Sequence, residues 1–370
     1  MADRGVRGEE PLNREPKISK LASVSITEDG YERNHCVQPA AEQLNARTHS
    51  VQVDGAVKEP LNLSITSLRT DFPQHEVICA LQCPENRRHG MRTLVKEVQG
   101  IDWVNGAVMN CRWRGPLLKD VLGKAGIADS VEQEGTHVAF TSFQVKCQED
   151  SWYGASIPLS RALDPDKEVV LALERNGKPL TIRHGYPVRV ITPGVEGAKS
   201  VKWLDKITVQ KEESPNYYMQ RDYKTPLPQA VDSETAEKYW GVTPPMQEMP
   251  VNSVVVSPRK GDTVKRNEEG KVVCHGYALP SGDGGSVVKV EISADGGLTW
   301  SEAALEQHEG EGKWAWKFWR ASVNMAPGNS GTILSKASDA SGQTQSAVSP
   351  WNLKDVCYNG FGEARDLTVE

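Results

Sequence analysis

The chain has 370 residues, 38% of them hydrophobic, and a formal net charge of −6. This length exceeds what one hydrophobic core usually organises, so we expect two domains. The acidic balance excludes a broad nucleic-acid-binding surface, because such a surface needs an excess of Lys and Arg on one face.

The first third of the chain predicts a leader followed by strands and a helix. Residues 1–28 are charged and lack periodicity, which predicts a flexible leader. Residues 49–65 alternate apolar and polar side chains around Asp-Gly, which favours two strands and a tight turn. Residues 114–127 carry leucine and valine at helical spacing and end near glycine, which predicts a short amphipathic helix.

The remainder predicts a mixed domain, a linker and an all-β domain. Short β-branched segments at 137–143, 168–173, 187–192 and 201–209 predict the strands of an α+β domain over residues 29–225. The proline-rich stretch 226–249 is the predicted linker. Short strands with glycine turns over residues 250–370 predict an immunoglobulin-like β-sandwich.

The seven cysteines lie without CxxC spacing, which is typical neither of a disulfide framework nor of a zinc site and favours a reducing compartment. No apolar run is long enough to span a membrane, and the N-terminus lacks the apolar part of a secretory signal. We therefore expect a soluble intracellular protein, cytoplasmic in the simplest case, with mitochondrial and peroxisomal locations left open.

One cysteine stands in a distinctive motif. Cys83 lies in LQCPENRRHGM, followed by RHGYPVRVITPGVEGAKSVKWL and then by QRDYK. Taken alone, such a cysteine is more often a small buried hydrophobe. The cations Arg87 and Arg88 nearby are expected to lower the pKa of its thiol, as a soft metal ligand requires.

In this combination the chain resembles the sulfite oxidase family of molybdenum-cofactor enzymes over roughly residues 30 to 358. The resemblance implies that Cys83 is the thiolate ligand of molybdenum. The chain departs from the family pattern at Pro84 and Glu85, which replace a pair of small residues and add a carboxylate beside the thiolate.

The resemblance also implies a molybdopterin cofactor, whose anionic phosphate suits guanidinium and ammonium groups. The residues it implies for cofactor binding are Arg33, Asn34, His35, His184, Arg189, Ser200, Val201 and Lys202. Gln144 stands where the family usually has an acidic residue, and it is a further candidate contact through its amide.

A small oxyanion substrate is expected beside the metal. The residues that match the family positions for it, or flank them, are Arg33, Arg88, Trp103, Asp222 and Tyr223. Lys354 stands where the family has an arginine, so the positive charge is kept but the planar guanidinium group is lost. The neighbouring Asp355 could pair with Lys354. Two structural alternatives remain open: Trp103 could fill a core, and Tyr223 could end a strand.

The predicted reaction is the oxidation of sulfite to sulfate by two-electron oxygen-atom transfer. We find no haem-binding segment before residue 30, so electrons are expected to pass to oxygen or to a separate carrier. The resemblance further implies a homodimer formed by the C-terminal domain. Two alternatives stay open, a nitrate reductase-type molybdenum module and a non-catalytic scaffold that has lost the metal.

Overall fold

The computed structural model describes residues 11–370. The expected leader lies partly outside this range, at residues 1–10, and its described part differs from the expectation. Leu21 is buried, Asn13 Oδ1 accepts the N–H of Asn34 at 2.9 Å, and the carboxylate of Glu15 accepts two backbone N–H groups at 2.7 and 2.8 Å. Residues 11–28 therefore pack on the domain, mostly through polar contacts that leave no hydrophobic periodicity in the sequence.

The α-helices are short. They are α1 (Ile18–Leu21), α2 (Ile65–Thr70), α3 (Arg88–Leu94), α4 (Leu118–Ala125), α5 (Leu159–Leu163), α6 (Tyr217–Gln220) and α7 (Ser233–Ala236). The helix expected within residues 114–127 is confirmed as α4, whose leucine and valine side chains are buried on one face and whose C-cap is Gly126 at φ 63°. No helix within residues 11–370 is both long and apolar enough to cross a membrane.

The first domain contains a parallel pair within otherwise antiparallel sheets. Its strands are β1 (Ser50–Gly55), β2 (Leu61–Ser64), β3 (Gln74–Gln82), β4 (Val108–Pro116), β5 (His137–Ser142), β6 (Tyr153–Pro158), β7 (Val170–Ala172), β8 (Glu174–Arg175), β9 (Lys178–Pro179), β10 (Arg189–Ile191) and β11 (Lys206–Gln210). They form the sheets β2-β1-β11-β5-β6, β3-β4-β8-β9 and β10-β7, in which β1 and β11 are parallel.

The strands expected in residues 49–65 are confirmed as β1 and β2, but residues 56–60 connect them instead of a tight Asp-Gly turn. In β1, Val51 and Val53 are fully buried while Gln52 is exposed, so the alternation places one face against the core. The mixed α/β architecture expected for the first domain is thus observed.

The second domain consists of two facing sheets. Its strands are β12 (Asn252–Ser257), β13 (Thr263–Val264), β14 (Lys271–Leu279), β15 (Val287–Ser293), β16 (Ser301–Glu302), β17 (Ala304–Glu306), β18 (Lys317–Asn324), β19 (Gly328–Asp339) and β20 (Gly362–Val369). They form the sheets β12-β14-β18-β17 and β13-β20-β19-β15-β16, whose inner side chains share one hydrophobic core.

Two buried side chains join the domains. Trp314 packs in a core of the first domain and donates its indole N–H to Glu168 Oε2 at 2.9 Å. Arg87 reaches the other way and donates to Asn252 Oδ1 and to two backbone carbonyls near residue 360. The predicted linker segment, residues 226–249, contains α7 and packs Trp240 against Leu353.

Candidate active site

A cavity of about 730 Å³, including its open mouth, lies at the end of β3. Polar and cationic residues form much of its wall. Its lining includes Tyr31, Glu32, Arg33, Asn34, His35, Cys36, Cys83, Pro84, Tyr153, Arg183, His184, Arg189, Ser200, Lys202 and Tyr223. Nine of the predicted site residues therefore meet in one cavity, although they come from segments as distant as residues 33 and 223.

Cys83 follows directly after β3 and is 1% exposed. Burial raises the pKa of its thiol, the nearby carboxylate of Glu85 raises it further, and Arg33 and Arg88 only partly offset this. The expectation that Arg87 lowers the pKa of this thiol is wrong, because the Arg87 guanidinium binds acceptors in the second domain. A bound metal would therefore have to stabilise the thiolate itself.

The carboxylate of Glu85 lies where the predicted oxyanion donors converge. It accepts from Arg33 Nε at 2.9 Å and from Trp103 Nε1 at 3.0 Å, and it lies 3.1 Å from an amino group of Arg88. Its Oε2 atom is 3.8 Å from the sulfur of Cys83. Burial alone raises the pKa of Glu85, but Arg33 and Arg88 outweigh burial and hold that pKa well below its usual range.

Tyr223 and His35 form a buried polar pair at the cavity wall. The phenol oxygen lies 2.8 Å from His35 Nε2, and the His35 ring stacks on Tyr218 with ring centroids 3.7 Å apart. Burial raises the pKa of Tyr223 well above its usual value, and burial together with Arg33 lowers the pKa of His35. Both groups are therefore neutral, and the phenol is the donor when the imidazole proton is on Nδ1.

A second group of cations, distinct from Arg33, also lines the cavity. Arg189 donates to two backbone carbonyls at 2.7 and 3.1 Å, and Lys202 donates to the side-chain oxygen of Asn34. Burial lowers the pKa of Arg189 to about 10 and that of Lys202 to about 7. Burial and the neighbouring arginines lower the pKa of His184 to about 3. Within residues 11–370, neither Arg189 nor Lys202 donates a hydrogen bond to a carboxylate, and Glu32 acts on Lys202 through its charge alone.

Two predicted cofactor contacts, Val201 and Gln144, lie outside the cavity lining and stay predictions. Val201 is 1% exposed and packs in the hydrophobic core of the first domain, with its N–H and carbonyl bonded to Lys199 and Val190. Gln144 donates to Asp205 Oδ1 and lies outside the cavity lining. Ser200 lines the cavity, although its hydroxyl also accepts the N–H of Thr192 at 3.1 Å.

Lys354 lies close to the predicted substrate residues, but its charge is paired. Its ammonium group lies 2.9 Å from Asp222 Oδ1, and its carbonyl oxygen accepts from Arg88. Asp355, which was expected to be able to pair with Lys354, is buried instead. Neither of its carboxylate oxygens accepts a hydrogen bond from residues 11–370. Burial raises the pKa of Asp355 to about 7.

Cys36, on the cavity wall, forms a disulfide with Cys147. The spacing of the cysteines predicted no disulfide framework, yet this one pair forms, so the reducing compartment inferred from the spacing loses that support. The two residues are 111 positions apart, so their spacing carried no signal. The free cysteines in the described chain are Cys79, Cys83, Cys111, Cys274 and Cys357.

Sequence reasoning missed several lining residues, among them Tyr31, Tyr153 and Arg183. Arg183 is the first residue of the quoted RHGYPVRV motif, and Tyr31 lies close in sequence to the predicted Arg33, so proximity could have suggested both. Tyr153 lies on β6, whose side chains carry no motif.

The residues present fit a molybdenum–pterin group. Within residues 11–370 no cluster of three or more His, Cys, Asp and Glu side chains could hold a metal alone, so a single thiolate would have to share coordination with a cofactor. Two cations in the same cavity without carboxylate hydrogen bonds, the buried Arg189 and the half-buried Lys202, suit an anionic phosphate.

Comparisons with known proteins agree with this geometry. An oxidoreductase molybdopterin binding domain matches residues 37–218, and a Mo-co oxidoreductase dimerisation domain matches residues 243–363. Mitochondrial sulfite oxidase of Rattus norvegicus is 41% identical over 363 residues, 96% of this chain and 64% of that protein. Sulfite oxidase of Arabidopsis thaliana is 37% identical over 369 residues, 95% of this chain and 90% of that protein.

A solved structure, the sulfane dehydrogenase SoxCD from Paracoccus pantotrophus, superposes with a TM-score of 0.73 at 22% identity, over 97% of this chain and 88% of that chain, which supports the fold. The fold and cavity define a molybdopterin-binding oxidoreductase. Within that class, the chain belongs to the sulfite oxidase family. It spans 64% of the length of the rat protein.

Proposed function

We propose that this protein oxidises sulfite to sulfate with a molybdenum–molybdopterin group whose metal is bound by Cys83. The observation that carries the proposal is the convergence of Arg33, Arg88 and Trp103 on one carboxylate whose oxygen lies 3.8 Å from the Cys83 sulfur. A set of donors that binds an anion beside a candidate metal ligand suits a small oxyanion substrate.

The chain would hold the two anionic groups on separate walls of the cavity. Arg183, Arg189 and Lys202 would bind the pterin phosphate, because they line one side and have few carboxylate partners. When bound, the molybdenum–pterin group supplies two-electron oxygen-atom transfer.

The residues near Cys83 would orient the substrate. Arg33 and Arg88 would neutralise the oxyanion and fix its position, and the Tyr223 hydroxyl, held by His35, would donate to an oxygen of substrate or product. Their burial keeps water away and strengthens these contacts. Electrons would then pass to oxygen or to a separate carrier.

We propose that the second domain is an immunoglobulin-like sandwich and that it forms a homodimer. The match to a dimerisation domain over residues 243–363 supports this, as do the two facing sheets. Light scattering on the purified protein would test it, since a monomeric mass at micromolar concentration contradicts the proposal.

The enzymatic proposal is tested with protein made in a host that synthesises the cofactor. We expect stoichiometric molybdenum, sulfite oxidation with ferricyanide as acceptor, and no nitrate reduction with a reduced dye. Cys83→Ser is expected to abolish sulfite oxidation, while Cys274→Ser, at a buried cysteine of the second domain, retains it. Nitrate turnover exceeding sulfite turnover would support the nitrate reductase alternative, and protein without molybdenum would support the scaffold alternative.

A further inference from the structure

We propose that Glu85 is a specificity-determining residue whose carboxylate occupies the substrate's anion-binding donors, so that sulfite has to displace it in order to bind. The inference rests on the proposed function, because it assigns those donors to the substrate. The inference predicts that the wild-type site binds sulfite and sulfate weakly. Removing the Glu85 carboxylate is expected to strengthen the binding of both anions.

The contacts of Glu85 resemble those of a bound oxyanion. Its two oxygens are shared among the guanidinium of Arg33 at 2.9 and 3.4 Å, the guanidinium of Arg88 at 3.1 Å and the indole N–H of Trp103 at 3.0 Å. The contacts from Arg33 and Trp103 are hydrogen bonds and the contact from Arg88 is an ion pair, all at a buried carboxylate, and they use groups that an external anion would need.

The position of Glu85 follows from the local chain. The turn after β3 is closed by the Asn86 N–H bonding to the Cys83 carbonyl at 3.0 Å and the Arg88 N–H bonding to the Glu85 carbonyl at 3.2 Å. Asn86 also anchors the turn by accepting the N–H of Ala107 at 3.1 Å. The backbone is thereby fixed so that the side chain two residues after Cys83 projects toward the donors.

The charges around the donors also support the inference. Arg33 and Arg88 are neutralised in part by Glu85, and Lys354 is paired with Asp222. Each cation assigned to the substrate thus already has a carboxylate partner. An incoming dianion would meet a neutralised pocket and the repulsion of Glu85 itself, and it could bind only after this carboxylate moves away.

The test compares Glu85→Gln and Glu85→Gly with wild-type holoenzyme. Sulfate binding is measured by calorimetry, and the KM for sulfite is measured by steady-state kinetics. We expect both the sulfate Kd and the sulfite KM to fall at least tenfold in each variant. Glu168→Gln is the matched control, because Glu168 also accepts a tryptophan indole N–H, from Trp314, and its other partner is His75 rather than Arg33 or Arg88. Its sulfate Kd is expected to equal that of the wild type.

Unchanged or weaker sulfate binding in the folded Glu85 variants would overturn the inference. If thermal unfolding shows that both variants misfold, sulfate binding to the wild-type protein is the deciding measurement. A sulfate Kd in the millimolar range supports occupation of the site by Glu85. A micromolar or lower Kd overturns it. Sulfate binding needs no turnover. A protein that binds molybdenum yet oxidises no sulfite in any variant would therefore contradict the proposed function and leave the Glu85 comparison intact.

Discussion

The phenol oxygen of Tyr223 and the Nε2 atom of His35 lie 2.8 Å apart in the buried wall of the cavity, although 188 positions separate the two residues. Tyr223→Phe removes this hydrogen bond and leaves a buried imidazole nitrogen unpaired, which costs about 1–3 kcal/mol. We expect kcat/KM for sulfite to fall by about tenfold to a hundredfold.

Tyr217→Phe is the control for this prediction, because Tyr217 lies in α6, shortly before Tyr223 in the chain, but is 37% exposed. Its kcat/KM is expected to match the wild type. Equal activity of both variants would remove Tyr223 from the substrate site.

The ion pair between Lys354 and Asp222 predicts coupled effects of mutation. Its side chains are 23% and 22% exposed, so the pair should be worth about 1 kcal/mol. We expect a double-mutant cycle of Lys354→Met and Asp222→Asn, followed by urea unfolding, to give a coupling energy of that size. The exposed pair Lys58–Asp129 should give a value near zero. A coupling energy near zero at both pairs would show that Asp222 does not neutralise Lys354.

Asp355 predicts a pH dependence of stability in the cofactor-free protein. Burial raises its pKa from 3.8 to about 7, so between these values the folded state binds more protons than the unfolded state. Its contribution to the free energy of unfolding therefore falls as pH rises from about 4 to 7, and the loss is complete above the folded pKa.

Asp355→Asn removes this titration. At pH 8 we expect the variant to be more stable than the wild type by an amount on the order of 1–3 kcal/mol, and at pH 4 the difference should vanish. Urea unfolding across this pH range measures both values. Asp129→Asn, at a carboxylate that is 89% exposed, is the control for the effect of the substitution itself on unfolding. A pH-independent difference would refute the buried titration.

The disulfide between Cys36 and Cys147 predicts sensitivity to reduction. It closes a loop of 111 residues, for which chain entropy gives a stabilisation of about 4–5 kcal/mol. We expect the Cys36→Ser, Cys147→Ser double variant to unfold at lower denaturant concentration. Dithiothreitol should destabilise the wild type and leave the double variant unchanged, whereas an equal effect on both would show that the bond does not form.

Local patterns in the sequence were sufficient for much of the fold. Alternating valines placed β1, helical spacing placed α4, and turn residues delimited the short strands, because these periodicities follow from local geometry. The family resemblance carried by the quoted motifs likewise located nine of the residues that meet in the cavity.

Long-range contacts decided the rest. The sequence revealed that Glu85 was unusual, but only the tertiary structure placed its carboxylate between Arg33 and Arg88 and turned Arg87 into the second domain. Pairing of Cys36 with Cys147 and of Lys354 with Asp222 likewise joins residues more than a hundred positions apart. The sequence by itself determined which charged, polar and thiol side chains the site can draw on. Which charges neutralise each other depends on distances of a few ångströms between distant segments, and those distances exist only after the cores have packed.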